Sequence, residues 1–86
     1  MECLPKNVTY MLYNESEIVY IGYTNDPEFR LREHELAGNR FTRMDLNSRP
    51  LTAEATKIKE AAIIKAYRTK HGGRLPRYNN NQQVVI

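Results

Sequence analysis

Asn7-Val8-Thr9-Tyr10-Met11-Leu12-Tyr13 and Ile18-Val19-Tyr20-Ile21-Gly22-Tyr23 are β-branched and aromatic runs, separated by the polar residues Asn14-Glu15-Ser16-Glu17. Both runs read as strands and the polar stretch as a turn, so residues 7–23 are expected to form a β-hairpin. Each run is apolar on both faces, which implies cover on each side of the sheet. The turn decides where Tyr10 and Tyr20 point. A three-residue turn at residues 14–16 sets them opposite each other on one face. A four-residue turn puts them on opposite faces unless a bulge intervenes. Gly22, inside a strand pattern, marks a bulge or the close approach of another group.

Outward from the hairpin, Asp26 is a good N-cap and Pro27 suits the first helical position. Glu28 suits the positive end of the helix dipole. Phe29, Arg32 or Glu33, and Leu36 trace the expected buried stripe, and Gly38 stops the helix. Residues 39–50 read as a polar loop with room for one irregular turn. A second helix is expected from about Thr52, its cap, to Lys70, with Ala53, Ala55, Ala61 and Ala62 favouring it. His71-Gly72-Gly73 ends it. Leu75-Pro76-Arg77-Tyr78-Asn79 reads as extended, and Val84-Val85-Ile86 as a further short strand or a loose end. The elements run β-β-α-α-β. The expected fold is α+β: a small three-stranded antiparallel sheet, the N-terminal hairpin plus a later short strand, flanked by helices. With 86 residues the chain has room for one domain, residues 1–86, with its core at about 7–80.

Two placements stand out. Ile63, Ile64 and Tyr67 define an apolar stripe on the second helix, and Glu60 falls near its middle. A carboxylate at a buried boundary is costly unless paired or holding a metal, so Glu60 is a structural ion-pair member, a snorkelling edge residue, or a metal-binding or catalytic group. Arg30 and His34 lie four apart, on one face of the first helix and away from the Phe29/Leu36 stripe. Arg suits a two-pronged grip on phosphate, and His moves protons near neutral pH. Alone, the same pair reads more readily as two solvent-facing residues beside Glu33 and Glu35.

Composition narrows the class. Hydrophobic residues make up 41% and charged residues 27%, the profile of a globular chain. Cys3 is the only cysteine, which excludes an intrachain disulfide and a cysteine-based zinc site. The first residues carry no apolar run, so no secretory signal is expected, and no stretch has the ~18 apolar residues of a membrane span. The sequon Asn7-Val8-Thr9 then carries no meaning, and an intracellular, cytoplasmic location is expected. Charge is uneven: residues 1–37 hold three Lys/Arg against seven Asp/Glu, and residues 38–86 hold ten against three. A basic half suits a polyanion, although a solvated Lys/Arg surface looks the same.

Taken together, Tyr10, Tyr20-Ile21-Gly22, Arg30, His34, Glu60 and Asn79 resemble the GIY-YIG nuclease family. Tyr20-Ile21-Gly22 supplies the second naming motif intact. Val8-Thr9-Tyr10 stands in place of the first and keeps its tyrosine. Arg30 and His34 fall on the following helix, Glu60 at the family's metal-binding glutamate. Pro76-Arg77-Tyr78-Asn79 is similar to the closing segment of the nuclease domain in bacterial excision-repair enzymes. The likeness covers about Val8 to Asn79, and the family's usual extra DNA-recognition domain is not expected in this chain.

The resemblance implies a metal-dependent endonuclease acting on DNA, with Mg²⁺ (or Mn²⁺) as cofactor. It implies that Glu60 holds the metal and Arg30 the scissile phosphate. Tyr10 orients or deprotonates the attacking water beside His34, Tyr20 completes the hydrogen-bond frame, and Asn79 tethers the backbone. A free tyrosine, with a pKa of about 10, is a poor base at neutral pH, so Tyr10 and His34 both stay open as the base. Arg40, Arg43, Arg49, Lys57, Lys65, Arg68, Arg74 and Arg77 are the candidates for backbone contacts, independent of sequence and weakened by salt. A homodimer is one assembly open to a chain with no reading domain, and small free-standing members point to a bacteriophage context. Two other readings share the scaffold: a non-catalytic nucleic-acid binder and a protein-interaction module.

Overall fold

The computed structural model describes residues 6–79, and the hairpin is its frame. Strand β1 (Val8–Asn14) lies at the centre of a three-stranded antiparallel sheet of order β2-β1-β3, with β2 (Glu17–Thr24) and β3 (Arg43–Leu46) at its edges. Helix α1 (Pro27–Leu36) follows β2, and helix α2 (Ala53–Lys70) follows β3. Among the described residues no helix is long and apolar enough to cross a membrane.

The turn question has a specific answer. Glu15 and Ser16 form a two-residue turn closed by the pair Asn14 and Glu17. Continued regularly, that register would place Tyr10 and Tyr20 on opposite faces. It shifts between Leu12 and Tyr13, where β2 carries Val19 as an extra residue, so Leu12 pairs with Tyr20 and Tyr10 with Gly22. The bulge returns both tyrosines to one face, as diagonal neighbours. Val19 is not wasted: with Tyr10 and Leu12 it forms the buried core, against which Tyr20, Phe41, Met44 and Tyr78 pack.

Both helices begin where local chemistry dictates. Asp26 caps α1 by accepting from the Phe29 N–H at 3.1 Å, with Pro27 in the first turn. Thr52 caps α2 by accepting from the Ala55 N–H at 3.2 Å. These side chains satisfy amides that a helix start leaves without partners.

Three expectations are corrected. The third strand lies at residues 43–46, inside the segment that reads as a loop, so the order is β-β-α-β-α. β3 has no alternating apolar pattern because backbone pairing to β1 and polar ties hold it. Thr9 bonds Asn47 through its hydroxyl and Ser48 through its N–H. The Phe29/Leu36 stripe of α1 faces solvent, Leu36 at 83% exposure, and His34 is the helix's buried residue. A hydrogen bond from the His34 ring, not apolar area, fixes the inward face. Residues 77–79 form a 3₁₀ turn rather than an extended run. The expectation for residues 84–86 lies outside the described residues.

Candidate active site

The hairpin supplies two phenol rings. Tyr10 is 1% exposed, and its ring stacks on Tyr20 at 5.9 Å between centroids and 29° between planes. Gly22 makes this possible. A Cβ there would lie 2.6 Å from Tyr20 Cε2 and 2.9 Å from the Tyr10 hydroxyl oxygen. The rings therefore occupy the space that any side chain at position 22 would need.

Helix α1 adds an imidazole and a guanidinium. His34 Nε2 lies 2.8 Å from the Tyr10 hydroxyl, and its ring centroid is 4.6 Å from that of Tyr20. Burial, then the Arg30 charge, lower the His34 pKa to about 4, so the ring is neutral at neutral pH. The Tyr10 phenol is pushed well above its ordinary value by burial and by Tyr20, with Arg30 pulling the other way. Burial also raises Tyr20. Both phenols are protonated at neutral pH. Arg30 pairs through Nη1 with Glu33 at 2.8 Å, on the exposed side. Its Nε is buried and has no hydrogen-bond acceptor, an arrangement that costs stability unless an acceptor arrives.

A stability test follows from the buried imidazole. Unfolded, His34 takes up a proton near its ordinary 6.5; folded, only near 4. Between these values the unfolded chain binds more protons, so stability falls as pH falls from 6.5 toward 4. The expected loss is roughly 3 kcal/mol, in a domain of a size where each 1 kcal/mol moves Tm by about 4–8 °C. Thermal melts across this range should show that slope in the wild type and a shallower one in His34→Gln.

Helix α2 brings the carboxylate. Glu60 is half-buried, and no described residue donates a hydrogen bond to it or forms an ion pair with it. Burial raises its pKa, and its charge in turn raises those of Tyr10 and Tyr20. Arg30 acts on the same two phenols and on His34. Tyr10 and Tyr20 thus lie within electrostatic reach of both Arg30 and Glu60, and His34 within reach of Arg30. Asn79 stands behind them. Its amide accepts from the Ile21 N–H at 2.9 Å and donates to the Ile21 carbonyl at 3.0 Å. It pairs with edge strand β2 as a further strand would, at the residue between Tyr20 and Gly22.

Two neighbours escape sequence reasoning. Asn39 Nδ2 lies 2.9 Å from His34 Nδ1, and the Tyr78 hydroxyl accepts from the Arg40 N–H at 3.0 Å. Both line a cavity of about 340 Å³ with Tyr20, Arg30, Glu33 and His34. Asn39 lies just past the helix-stopping Gly38, and its residue type reads there as ordinary turn chemistry. An amide N–H only donates, so with Nδ2 facing the ring Nδ1 is the acceptor and Nε2 carries the proton toward Tyr10. Turning the amide by half a rotation presents its carbonyl, moves the ring proton to Nδ1 and makes Nε2 an acceptor.

Lys65 and Arg68 line a cavity with Glu60, and Arg68, Arg74 and Arg77 line an adjoining one. Arg43 belongs to β3, where it pairs with Asp45 at 3.0 Å and covers the Tyr13 ring at 4.1 Å. Arg40, Arg49 and Lys57 are exposed. Among the described residues no three His, Cys, Asp or Glu side chains cluster as a metal cage. A hard cation such as Mg²⁺ fits one carboxylate because it keeps most of its waters.

Compared with known proteins, residues 6–79 match the family model of the GIY-YIG catalytic domain. No curated protein and no solved structure matches the chain.

Proposed function

Because the chain belongs to the GIY-YIG family of nucleases, we propose that it is a divalent-metal-dependent endonuclease that hydrolyses phosphodiester bonds in DNA. The observation that carries this reading is the buried Arg30 Nε without an acceptor, beside a neutral imidazole–phenol pair whose phenol also feels the Glu60 charge. A phosphate oxygen on Arg30 supplies the missing acceptor, and a guanidinium grips phosphate in two-pronged fashion.

Glu60 is the protein ligand for Mg²⁺ or Mn²⁺. When bound, that ion offsets charge on the phosphate and the leaving oxygen. The residues themselves handle the proton. Tyr10 is protonated, so it relays: its oxygen takes the proton of the attacking water as its own proton passes to His34 Nε2. That step needs Nε2 bare, hence the Asn39 carbonyl on Nδ1–H. Phosphate on Arg30 also offsets the charge that depresses His34, so the imidazole becomes a better base once substrate is bound. Tyr20 holds Tyr10 by stacking, and Asn79 holds the strand that carries Tyr20. Arg40, Arg49, Lys57, Lys65, Arg68, Arg74 and Arg77 contact the DNA backbone. One site per chain cuts one strand, so a double-strand break takes two copies. A DNA substrate implies an intracellular setting.

The relay makes Asn39 decisive. Asn39→Asp places a carboxylate that accepts from Nδ1–H and fixes the competent tautomer. It is expected to retain activity and raise the His34 pKa, read from the ring protons by NMR titration. Asn39→Leu should lose cleavage by about 10–100-fold. Equal rates in both variants would remove Asn39 and this tautomer from the reaction.

The function itself is tested by incubating the protein with supercoiled plasmid and Mg²⁺ or Mn²⁺. Nicking that chelator abolishes is expected. No nicking with either metal, alongside salt-sensitive DNA binding, would replace the enzyme with a binding module.

A further inference from the structure

The C-terminal end of α2 has features that the proposed reaction does not use. The Tyr67 and His71 rings stack almost parallel, 3.8 Å apart and 9° from coplanar. His71 is exposed, so one face of the stack is open to solvent. The same two residues line a cavity of about 880 Å³ together with Arg68, Arg74 and Arg77. Arg68 Nε is held by the Gly73 carbonyl at 3.0 Å, which aims the rest of the guanidinium. Arg74 has no side-chain partner among the described residues. Arg77 reaches Glu17 only at 3.7 Å, with both side chains more than half exposed, a pair that competes weakly with phosphate.

This cavity joins a second one, of about 620 Å³, that runs along α2 to Glu60; Arg68 and Gly73 line both. Glu60 and Arg68 are eight residues apart, roughly 12 Å along the helix. A groove therefore leads from the lone carboxylate to three arginines beside a flat aromatic surface. Arginines bind phosphate whatever the base, and an aromatic face stacks any base that is not already stacked. Bases inside a duplex are covered on both sides, so only an unpaired nucleotide can use the open face of His71.

We propose that the groove binds an unpaired DNA strand next to the cleavage site, with its phosphates on Arg68, Arg74 and Arg77 and a base stacked on His71. This deepens the nuclease reading and rests on it: the substrate is a junction of duplex and single strand, such as a flap or a tailed end. Uniform duplex would bind more weakly.

The test uses the whole protein without metal, so binding is read separately from cleavage. Fluorescence anisotropy is followed with labelled oligothymidylate and with a fully paired, loop-free duplex. His71→Ala should weaken oligothymidylate binding at least about fivefold, the scale of one lost base stack, and change duplex binding less than about twofold, whereas Arg74→Glu, which loses a phosphate contact, should weaken both. His71→Trp, a larger stacking surface, should keep or tighten oligothymidylate binding, which a helix-end role for His71 would not produce. Unchanged oligothymidylate binding in His71→Ala overturns the proposal, as does equal weakening of oligothymidylate and duplex binding in that variant. The two readings fail separately. A protein that nicks plasmid but shows no such selectivity loses the groove alone. One that shows the selectivity but never nicks loses the nuclease activity and keeps the groove.

Discussion

Glu60→Gln should reduce plasmid cleavage on the order of a hundredfold or more while leaving the melting temperature unchanged or higher. The two effects have one cause. Glu60 is half-buried with no donor or cation beside it, and burial raises its pKa. Its charge works against folding at neutral pH, and it also raises the pKa of Tyr10 and Tyr20. An amide of the same shape removes that charge and keeps the packing. A structural carboxylate would behave in the reverse way, since losing a stabilising ion pair lowers Tm and spares chemistry. Cleavage at the wild-type rate in Glu60→Gln would take the metal away from this residue.

Gly22→Ala is the second large effect. The added Cβ meets Tyr20 Cε2 at 2.6 Å and the Tyr10 hydroxyl oxygen at 2.9 Å. A solvent-facing ring could swing away, but Tyr10 is 1% exposed, stacked on Tyr20 and bonded to His34. Its hydroxyl has to leave the imidazole. Overpacking of this kind costs about 1–3 kcal/mol, and a displacement near 1 Å at a reacting group costs about a hundredfold in rate. Single-turnover cleavage and thermal melts measure the two consequences together. A folded Gly22→Ala protein with the wild-type rate would mean that the Tyr10–His34 contact is not part of the reaction.

Much of the candidate site is legible in the sequence because the residue types it draws on stand at element positions with strong local signals. Asp26, Pro27 and Thr52 announce the helix starts, and both caps form. Glu60 betrays itself by interrupting an apolar stripe. What the sequence hides is governed by partners far away in the chain. β3 forms because β1 has a free edge, and Asn47 and Ser48 find Thr9, so no apolar alternation marks it. Helix α1 turns its polar His34 inward and leaves Phe29 and Leu36 in solvent, the opposite of what side-chain hydrophobicity implies. The bulge at Val19 decides whether the two tyrosines share a face, yet in composition Val19 is one more β-branched strand residue. Asn39 becomes visible only once His34 has been placed beside it.

The central claim is that the two phenols, His34, Arg30 and Glu60 surround one metal and one phosphate. Titrating Mn²⁺ into the protein while following ring-proton NMR signals tests it most directly, because the ion broadens only nuclei close to where it binds. The His34, Tyr10 and Tyr20 signals should broaden at low Mn²⁺, with Tyr13, whose ring lies under Arg43, left sharp, and Glu60→Gln should abolish the effect. Broadening that spares His34 and Tyr10, or that persists unchanged in Glu60→Gln, would contradict the account.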